Sequence, residues 1–213
     1  MLKNLHKQGN SFYTKSSTPE KNFYNEDLLI INSNTFFLWN PRRSKIAAAM
    51  VKGIQNLGFE ESSKILYLGA AQGQTVSHIS DIVPQGQIFA VEISPIAAKP
   101  LYFLAKARQN IIPIIEDARF PERYSDLPKM DFVFEDVADS QQIEILINNC
   151  NLFLKQKGFA MIAVKARSID VSKPPYEIFK MCEKKLAQHF AILQKLDLYP
   201  FEKDHYLYFL QFK

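Results

Sequence analysis

From Lys64 onward the chain alternates short apolar runs with amphipathic stretches, and no other feature constrains its fold as tightly. Lys64 to Leu68, Ile88 to Val91, Ile111 to Ile115, Asp131 to Phe134 and Phe159 to Val164 read as strands. Helical patterns cover Thr75 to Val83 (stopped by Pro84), 96–109, 140–155 and 175–189. Strands spaced by helices of this length pair in parallel, with helices on both faces of one sheet. Pro100 falls inside the helix expected at 96–109 and should kink or delay it. The C-terminal end breaks the alternation. Ala191 to Leu198 and Tyr206 to Phe212 are β-type runs with only a short connection, so they should pair antiparallel.

The first 40 residues look β-rich instead. Glu26 to Ile31 and Thr35 to Trp39 flank the turn-forming Asn32-Ser33-Asn34, which predicts a hairpin, and residues 14–22 read as loop. Asn40-Pro41 offers a helix cap followed by Pro at the first helical position. Ile46, Ala49, Met50, Ile54 and Leu57 continue at helical spacing until Gly58 closes that helix. The expected organisation is a small β-rich N-terminal domain at 1–40 and an α/β domain at 41–213.

Composition narrows the class. Apolar residues make up 47% and charged residues 23% of 213, the balance of a folded chain, and seven glycines exclude collagen-like repeats. No window nears a membrane-spanning run, and the N-terminus shows no apolar leader core. Cys150 and Cys182 lack metal-type spacing and read as reduced core thiols of an intracellular protein, and no residue set is assigned to a metal. The net charge of +4 resides wholly in residues 1–60, where eight Lys/Arg face four acids. That is a weak footprint for a free-standing nucleic-acid binder. Most of the affinity for any RNA would have to come from partners.

The chemistry concentrates at the carboxyl ends of the predicted strands. Gly69-Ala70-Ala71-Gln72-Gly73-Gln74-Thr75 follows the first strand and leads into a helix, a small-residue turn that lets backbone approach a ligand. The second strand ends at Glu92, where a carboxylate can accept from ribose hydroxyls. The third ends in Glu116-Asp117-Ala118, with Asp117 able to accept from an adenine amino group. The fourth ends in Glu135-Asp136-Val137-Ala138-Asp139. Acids converging on one crevice repel a pyrophosphate and suit S-adenosyl-L-methionine, which carries a sulfonium and an ammonium. Six strands plus an antiparallel seventh likewise point to a class I, Rossmann-like methyltransferase sheet rather than a nicotinamide dehydrogenase.

Several segments then resemble the fibrillarin family: Trp39-Asn40-Pro41-Arg42-Arg43-Ser44-Lys45, Leu66-Tyr67-Leu68-Gly69-Ala70-Ala71, Val76-Ser77-His78-Ile79-Ser80-Asp81-Ile82-Val83 and Asn110-Ile111-Ile112-Pro113-Ile114-Ile115. Phe134-Glu135-Asp136-Val137-Ala138, Ile162-Ala163-Val164-Lys165-Ala166-Arg167-Ser168-Ile169-Asp170 and Glu202-Lys203-Asp204-His205 do so too. The resemblance runs from about residue 35 to the C-terminus. It implies an S-adenosyl-L-methionine-dependent RNA 2′-O-methyltransferase of rRNA and tRNA, the catalytic subunit of a box C/D particle. Its implied partners are guide RNA, target RNA, a Nop-domain scaffold and a kink-turn-binding protein. The absence of a Gly/Arg-rich N-terminal tract resembles archaeal members, which implies the cytoplasm, as against the nucleolus for a eukaryotic one.

The resemblance also implies roles. A Lys-Asp-Lys-His tetrad maps to Lys45, Asp136, Lys165 and His205. From the charges gathered there, Lys165 is expected to meet the ribose hydroxyl and accept or steer its proton, with Asp136 orienting Lys165, Lys45 holding the ribose or its phosphate, and His205 completing the network. The donor-contacting set becomes Gly69, Ala71, Gly73, Gln74, Thr75, Glu92, Ile93, Asp117, Ala118, Asp136, Val137, Ala138 and Asp139. Arg42, Arg43 and Arg167 adjoin the tetrad and are expected to grip RNA phosphates, with ion pairing inside the protein as the alternative. Three positions bear on the family pattern: Gln74 where Thr is usual, Asp139 where Gln is usual, and Ile93, which takes the aliphatic option beside the adenine. Two alternative readings stand beside this one, a non-catalytic structural subunit of the same particle and a stand-alone methyltransferase acting on protein or a small molecule.

Overall fold

The computed structural model describes residues 2–213. Two hairpins build a small N-terminal sheet. β1 (Leu5–Gln8) and β2 (Ser11–Lys15) form the first, and β3 (Leu28–Ile31) and β4 (Asn34–Leu38) the second. Asn32 and Ser33 join the second pair with φ of 48° and 61°, the two left-handed residues that a tight hairpin demands. The strands lie in the order β1-β2-β4-β3. The hairpin read from Asn32-Ser33-Asn34 is therefore present, whereas the loop expected from residue 14 begins only after Lys15.

Next come α1 (Lys45–Val51), β5 (Lys64–Leu68), α2 (Gln74–Ile82), β6 (Gln87–Val91), α3 (Lys99–Ala107) and β7 (Ile111–Ile114). They are followed by β8 (Met130–Glu135), α4 (Gln142–Phe153), β9 (Leu154–Lys165), the single turn α5 (Ala166–Ile169), α6 (Pro175–His189), β10 (Phe190–Asp197) and β11 (His205–Phe212). The larger sheet is seven-stranded, ordered β10-β11-β9-β8-β5-β6-β7. β5 pairs in parallel with β6 and β8, which extend to β7 and β9, while β11 is antiparallel to both β9 and β10. Strand order therefore reverses at β5, which opens a crevice beyond the carboxyl ends of β5 and β8.

Alternation along each strand feeds two cores. Ile65 and Tyr67 face one, with Ile46, Val76, Ile79 and Leu104 of α1, α2 and α3. Leu66 and Leu68 face the other, with Leu146, Cys150, Ile178 and Leu186 of α4 and α6. Both cysteines are buried thiols. Phe12 and Trp39 carry the N-terminal sheet into the first core. Pro113 is accommodated because β7 is an edge strand, where one missing N–H costs no ladder bond.

Two helix starts correct the sequence reading. Pro100 delays the helix expected at 96–109 to Lys99, where it occupies the first turn and removes no hydrogen bond. The helix expected from Asn40-Pro41 begins instead at Lys45. Asn40 accepts from the Arg42 N–H through its side chain (2.9 Å) and from the Arg43 N–H through its carbonyl (3.1 Å), which closes a turn over Pro41 to Arg43. The cap is Ser44, whose hydroxyl oxygen accepts from the Ala47 N–H at 3.4 Å and from Trp39 Nε1 at 2.9 Å. That helix ends at Val51, not Gly58, because Gly53 turns the chain with φ of 90°.

Candidate active site

The turn after β5 is held open by left-handed backbone. Gly69, Ala71 and Gly73 take φ of 82°, 47° and 89°. A Cβ on Gly69 would stand 2.6 Å from the Asp136 carbonyl oxygen, so only glycine lets the ends of β5 and β8 meet there. Gly69 and Ala70 both donate N–H to the Val91 carbonyl at 3.0 Å, and Asp136 donates its N–H to the Leu68 carbonyl at 3.0 Å. These bonds gather the ends of β5, β6 and β8 around one cavity.

That cavity encloses about 300 Å³. Gly69, Ala71, Glu92, Ile93, Asp117, Ala118, Asp136, Val137, Ala138 and Asp139, all expected from sequence, line it. Gly73, Gln74 and Thr75 do not. Thr75 donates its hydroxyl proton to Ser44 Oγ at 3.1 Å, and the Gln74 amide turns away to Glu26 Oε1, also at 3.1 Å. Gln74 thus reaches the N-terminal region, not the cavity. Val91, Glu116, Arg119 and Ile145 also line the wall. Glu116 and Arg119 were legible as neighbours of Asp117, but Ile145 comes from α4, far along the chain, and had no local signal.

Carboxylates dominate the wall: Glu92, Glu116, Asp117, Asp136 and Asp139 stand against one guanidinium, Arg119. Glu92 is almost buried and accepts from the Ala71 N–H at 2.8 Å and the Ser94 N–H at 2.9 Å, which fixes both its oxygens. Arg119 contacts both oxygens of Asp117, at 2.6 Å for the closest pair, and holds that carboxyl below the usual carboxylate range. An adenine amino group approaching Asp117 must share it with Arg119. Ile93, 57% exposed at the rim, presents a bare apolar face. Asp139 accepts from the Gln141 N–H at 2.7 Å and shapes the turn into α4.

The tetrad residues converge beside this cavity. Lys45 opens α1, Asp136 follows β8, Lys165 ends β9 and His205 begins β11. His205 and Lys165 are direct cross-strand partners. Lys45 Nζ lies 3.0 Å from Asp136 Oδ2 and 3.8 Å from Glu202 Oε1, and Glu202 Oε2 lies 4.0 Å from His205 Nδ1. Asp136 is therefore paired with Lys45, not with Lys165 as expected. Lys165 is exposed, and its ammonium has no partner among the described residues. Burial would lower the Lys45 ammonium, but the charge and hydrogen bond of Asp136, aided by Glu202, prevail and raise it. Burial raises the Asp136 carboxyl against the pull of Lys45, its ion-pair partner. His205 Nδ1 sits 2.7 Å from the Lys203 carbonyl, which can only accept. Nδ1 therefore carries a proton, and Nε2 is the ring atom left to take another.

Glu202 was missed as a site residue. It lay inside a motif read for His205, and its place beside Lys45 follows from the β10–β11 connection folding back. Glu135, one residue before Asp136, is fully buried with neither oxygen partnered among the described residues, and burial pushes its carboxyl well above the usual range. Arg42 and Arg43 are exposed; Arg43 donates to the Tyr24 carbonyl at 3.1 Å. Arg167 lies 3.3 Å from Asp204 and donates to the Val171 carbonyl, so it has partners within the chain.

The strand order, the antiparallel last strand and the acid-lined crevice at the switch point define a class I methyltransferase fold and site. A family model described as Fibrillarin matches residues 2–213, and the chain belongs to the fibrillarin family. A fibrillarin-like rRNA/tRNA 2′-O-methyltransferase of Thermococcus onnurineus is 46% identical over 197 residues, covering 92% of this chain and 87% of the relative. The structure of Aeropyrum pernix fibrillarin with natively bound S-adenosyl-L-methionine superposes with a TM-score of 0.87 at 39% identity, over 94% of this chain and 88% of that one. A fibrillarin/Nop5p complex gives 0.92 at 38% identity, over 100% of this chain and 99% of the other.

Proposed function

We propose that the protein transfers a methyl group from S-adenosyl-L-methionine to ribose 2′-hydroxyls of rRNA and tRNA. The observation that carries this reading is the junction of two unlike chemistries: an acid-lined cavity of nucleoside size adjoining a Lys45–Asp136–Glu202–His205 cluster with Lys165 across the strand pair. The carboxylates fit a cosubstrate whose net charge is positive. Glu92 would hold the ribose hydroxyls, Ile93 would pack on the adenine and Asp117 would accept its amino group. Asp136 and Asp139 would border the methionine ammonium. The bound donor supplies a methyl on a sulfonium, already activated for displacement.

What remains for the chain is alignment, and alignment of reactants can contribute roughly 7–11 kcal/mol. Lys165, whose ammonium has no partner among the described residues, meets the 2′-oxygen and steers its proton. His205 Nε2 is the basic atom available to receive that proton. Lys45, kept cationic by Asp136, steadies the ribose or its phosphate. The oxygen–methyl bond forms as the sulfur–methyl bond breaks, the electron pair leaves on sulfur and the proton leaves the hydroxyl. Proton assistance of this kind typically adds about 10²–10⁴-fold.

The protein works with a Nop-domain scaffold. Guide RNA selects the nucleotide within a box C/D particle that a kink-turn-binding protein anchors, and Arg42, Arg43 and Arg167 contribute phosphate contacts without sequence readout. Its site of action is the cytoplasm, consistent with the archaeal sources of its relatives. Tritiated-methyl transfer with guide RNA, target RNA and partner proteins, each omitted in turn, tests this reading. Incorporation should vanish without guide or scaffold, and undiminished incorporation into free substrate would favour a stand-alone enzyme.

A further inference from the structure

The connection between β2 and β3 touches the loop after β5. Tyr24 donates its hydroxyl proton to the Gln72 carbonyl at 2.7 Å, and its oxygen lies 3.0 Å from where a Cβ on Gly73 would stand. Glu26 Oε1 accepts from the Gln74 amide at 3.1 Å and lies 2.9 Å from His78 Nε2, with its side chain 5% exposed. Thr14 gives its proton to Asp81, so its oxygen can only accept from His78 Nδ1 at 2.8 Å. His78 also stacks on Trp39, with ring centroids 5.1 Å apart.

The segment is itself braced. Asn22 and Glu26 exchange two hydrogen bonds, at 2.8 Å and 2.9 Å, and Arg43 donates to the Tyr24 carbonyl. It presses on a loop that needs bracing. Ala71 is a non-glycine in the left-handed region, which costs about 1–2 kcal/mol. Its N–H is spent on Glu92, on the cavity side. Among the described residues, the outer side of Gln72 and Gln74 meets only Tyr24 and Glu26 through side-chain hydrogen bonds, apart from a Ser77 hydroxyl on the Gln74 carbonyl.

We propose that Tyr24 and Glu26 are positioning residues that hold the donor loop in its binding-competent shape from outside the cavity. This rests on the reading of residues 69–75 as the donor loop. A loop already formed binds without paying its ordering entropy, so releasing it should weaken donor affinity and leave the chemical step alone. Neither residue lines the cavity or belongs to the Lys-Asp-Lys-His cluster, and the Gln74 side chain is spent on Glu26.

Tyr24→Phe deletes one hydroxyl and keeps the ring. Titration calorimetry of the full chain with S-adenosyl-L-methionine, and donor KM and kcat in the reconstituted particle, read the outcome. One net hydrogen bond corresponds to about a fivefold rise in donor Kd and KM, with kcat at saturating donor changed less than twofold. Gln74→Ala, which cuts the Glu26 bond from the loop side, should move donor Kd in the same direction. A lowered melting temperature with wild-type donor Kd in both variants would make the segment structural only and overturn the proposal. If the wild type itself bound no donor, the reading of the loop would fall first. If the wild type bound normally and the variants matched it, this inference alone would fail.

Discussion

Glu92→Gln exposes how the donor end is built. Both carboxylate oxygens are already committed, one to the Ala71 N–H and one to the Ser94 N–H, at a nearly buried position. A glutamine presents one oxygen and one NH₂, so whichever way the amide turns, one backbone N–H faces another donor. Leaving such a donor unpaired costs about 1–3 kcal/mol. For a chain of this size that corresponds to a fall in Tm of about 2–4 °C per kcal/mol. Donor binding suffers separately. At the proposed ribose contact, two hydroxyl bonds to a charged acceptor, each about 1.5–3 kcal/mol, become neutral bonds of about 0.5–1.5 kcal/mol, a net loss of about 2.5 kcal/mol or roughly 70-fold in Kd. Thermal melts and donor titration by calorimetry separate the two effects. A variant that melts lower yet binds S-adenosyl-L-methionine within twofold of wild type would show that Glu92 shapes the loop without touching the ribose, and the assignment would fail.

Two further substitutions probe the same region. Gly69→Ala places a Cβ 2.6 Å from backbone that cannot yield and demands φ of 82°, so Tm should fall by several degrees and donor affinity by at least about tenfold; wild-type values in both would refute the close approach. Glu135 holds its proton well above the ordinary value of 4.5 because it is buried without a partner, so above that pH the unfolded chain releases a proton the folded chain retains. Wild-type stability therefore drops as pH rises, by about 1.4 kcal/mol per unit while one proton separates the states. Glu135→Gln carries no such proton and should gain on wild type as the pH is raised above 4.5. Parallel Tm shifts of the two proteins over that range would contradict it.

The sequence carried the sheet because its strands are buried on both faces and read as apolar runs whatever their neighbours do. It also carried the acids at the strand ends, since the carboxyl end of each strand is fixed by where its apolar run stops. Local capping was less readable. Asn40-Pro41 and Ser44 are both acceptable helix starts, and what favours Ser44 is tertiary: its hydroxyl also takes bonds from Trp39 and Thr75. The first hairpin, Leu5–Gln8 with Ser11–Lys15, is too short and too polar to stand out. Pairing within the site was not legible either. That Asp136 chooses Lys45 over Lys165, and that Glu202 joins them, depends on how α1 and the β10–β11 connection dock on β8. Gln74 and His78 share Glu26 as a partner, a residue 48 and 52 positions away, and no local signal pointed to it.

Lys165→Ala addresses the chemistry most directly, because the proposed mechanism gives Lys165, the cross-strand partner of His205, the contact with the ribose 2′-hydroxyl. Donor affinity by calorimetry and methyl incorporation at the guide-paired ribose, located by mass spectrometry of the RNA, are measured on the same preparation. Donor Kd should stay within twofold while incorporation falls at least about 10²-fold. Wild-type turnover in the variant, or a methyl found on a base instead of the ribose, would contradict the account.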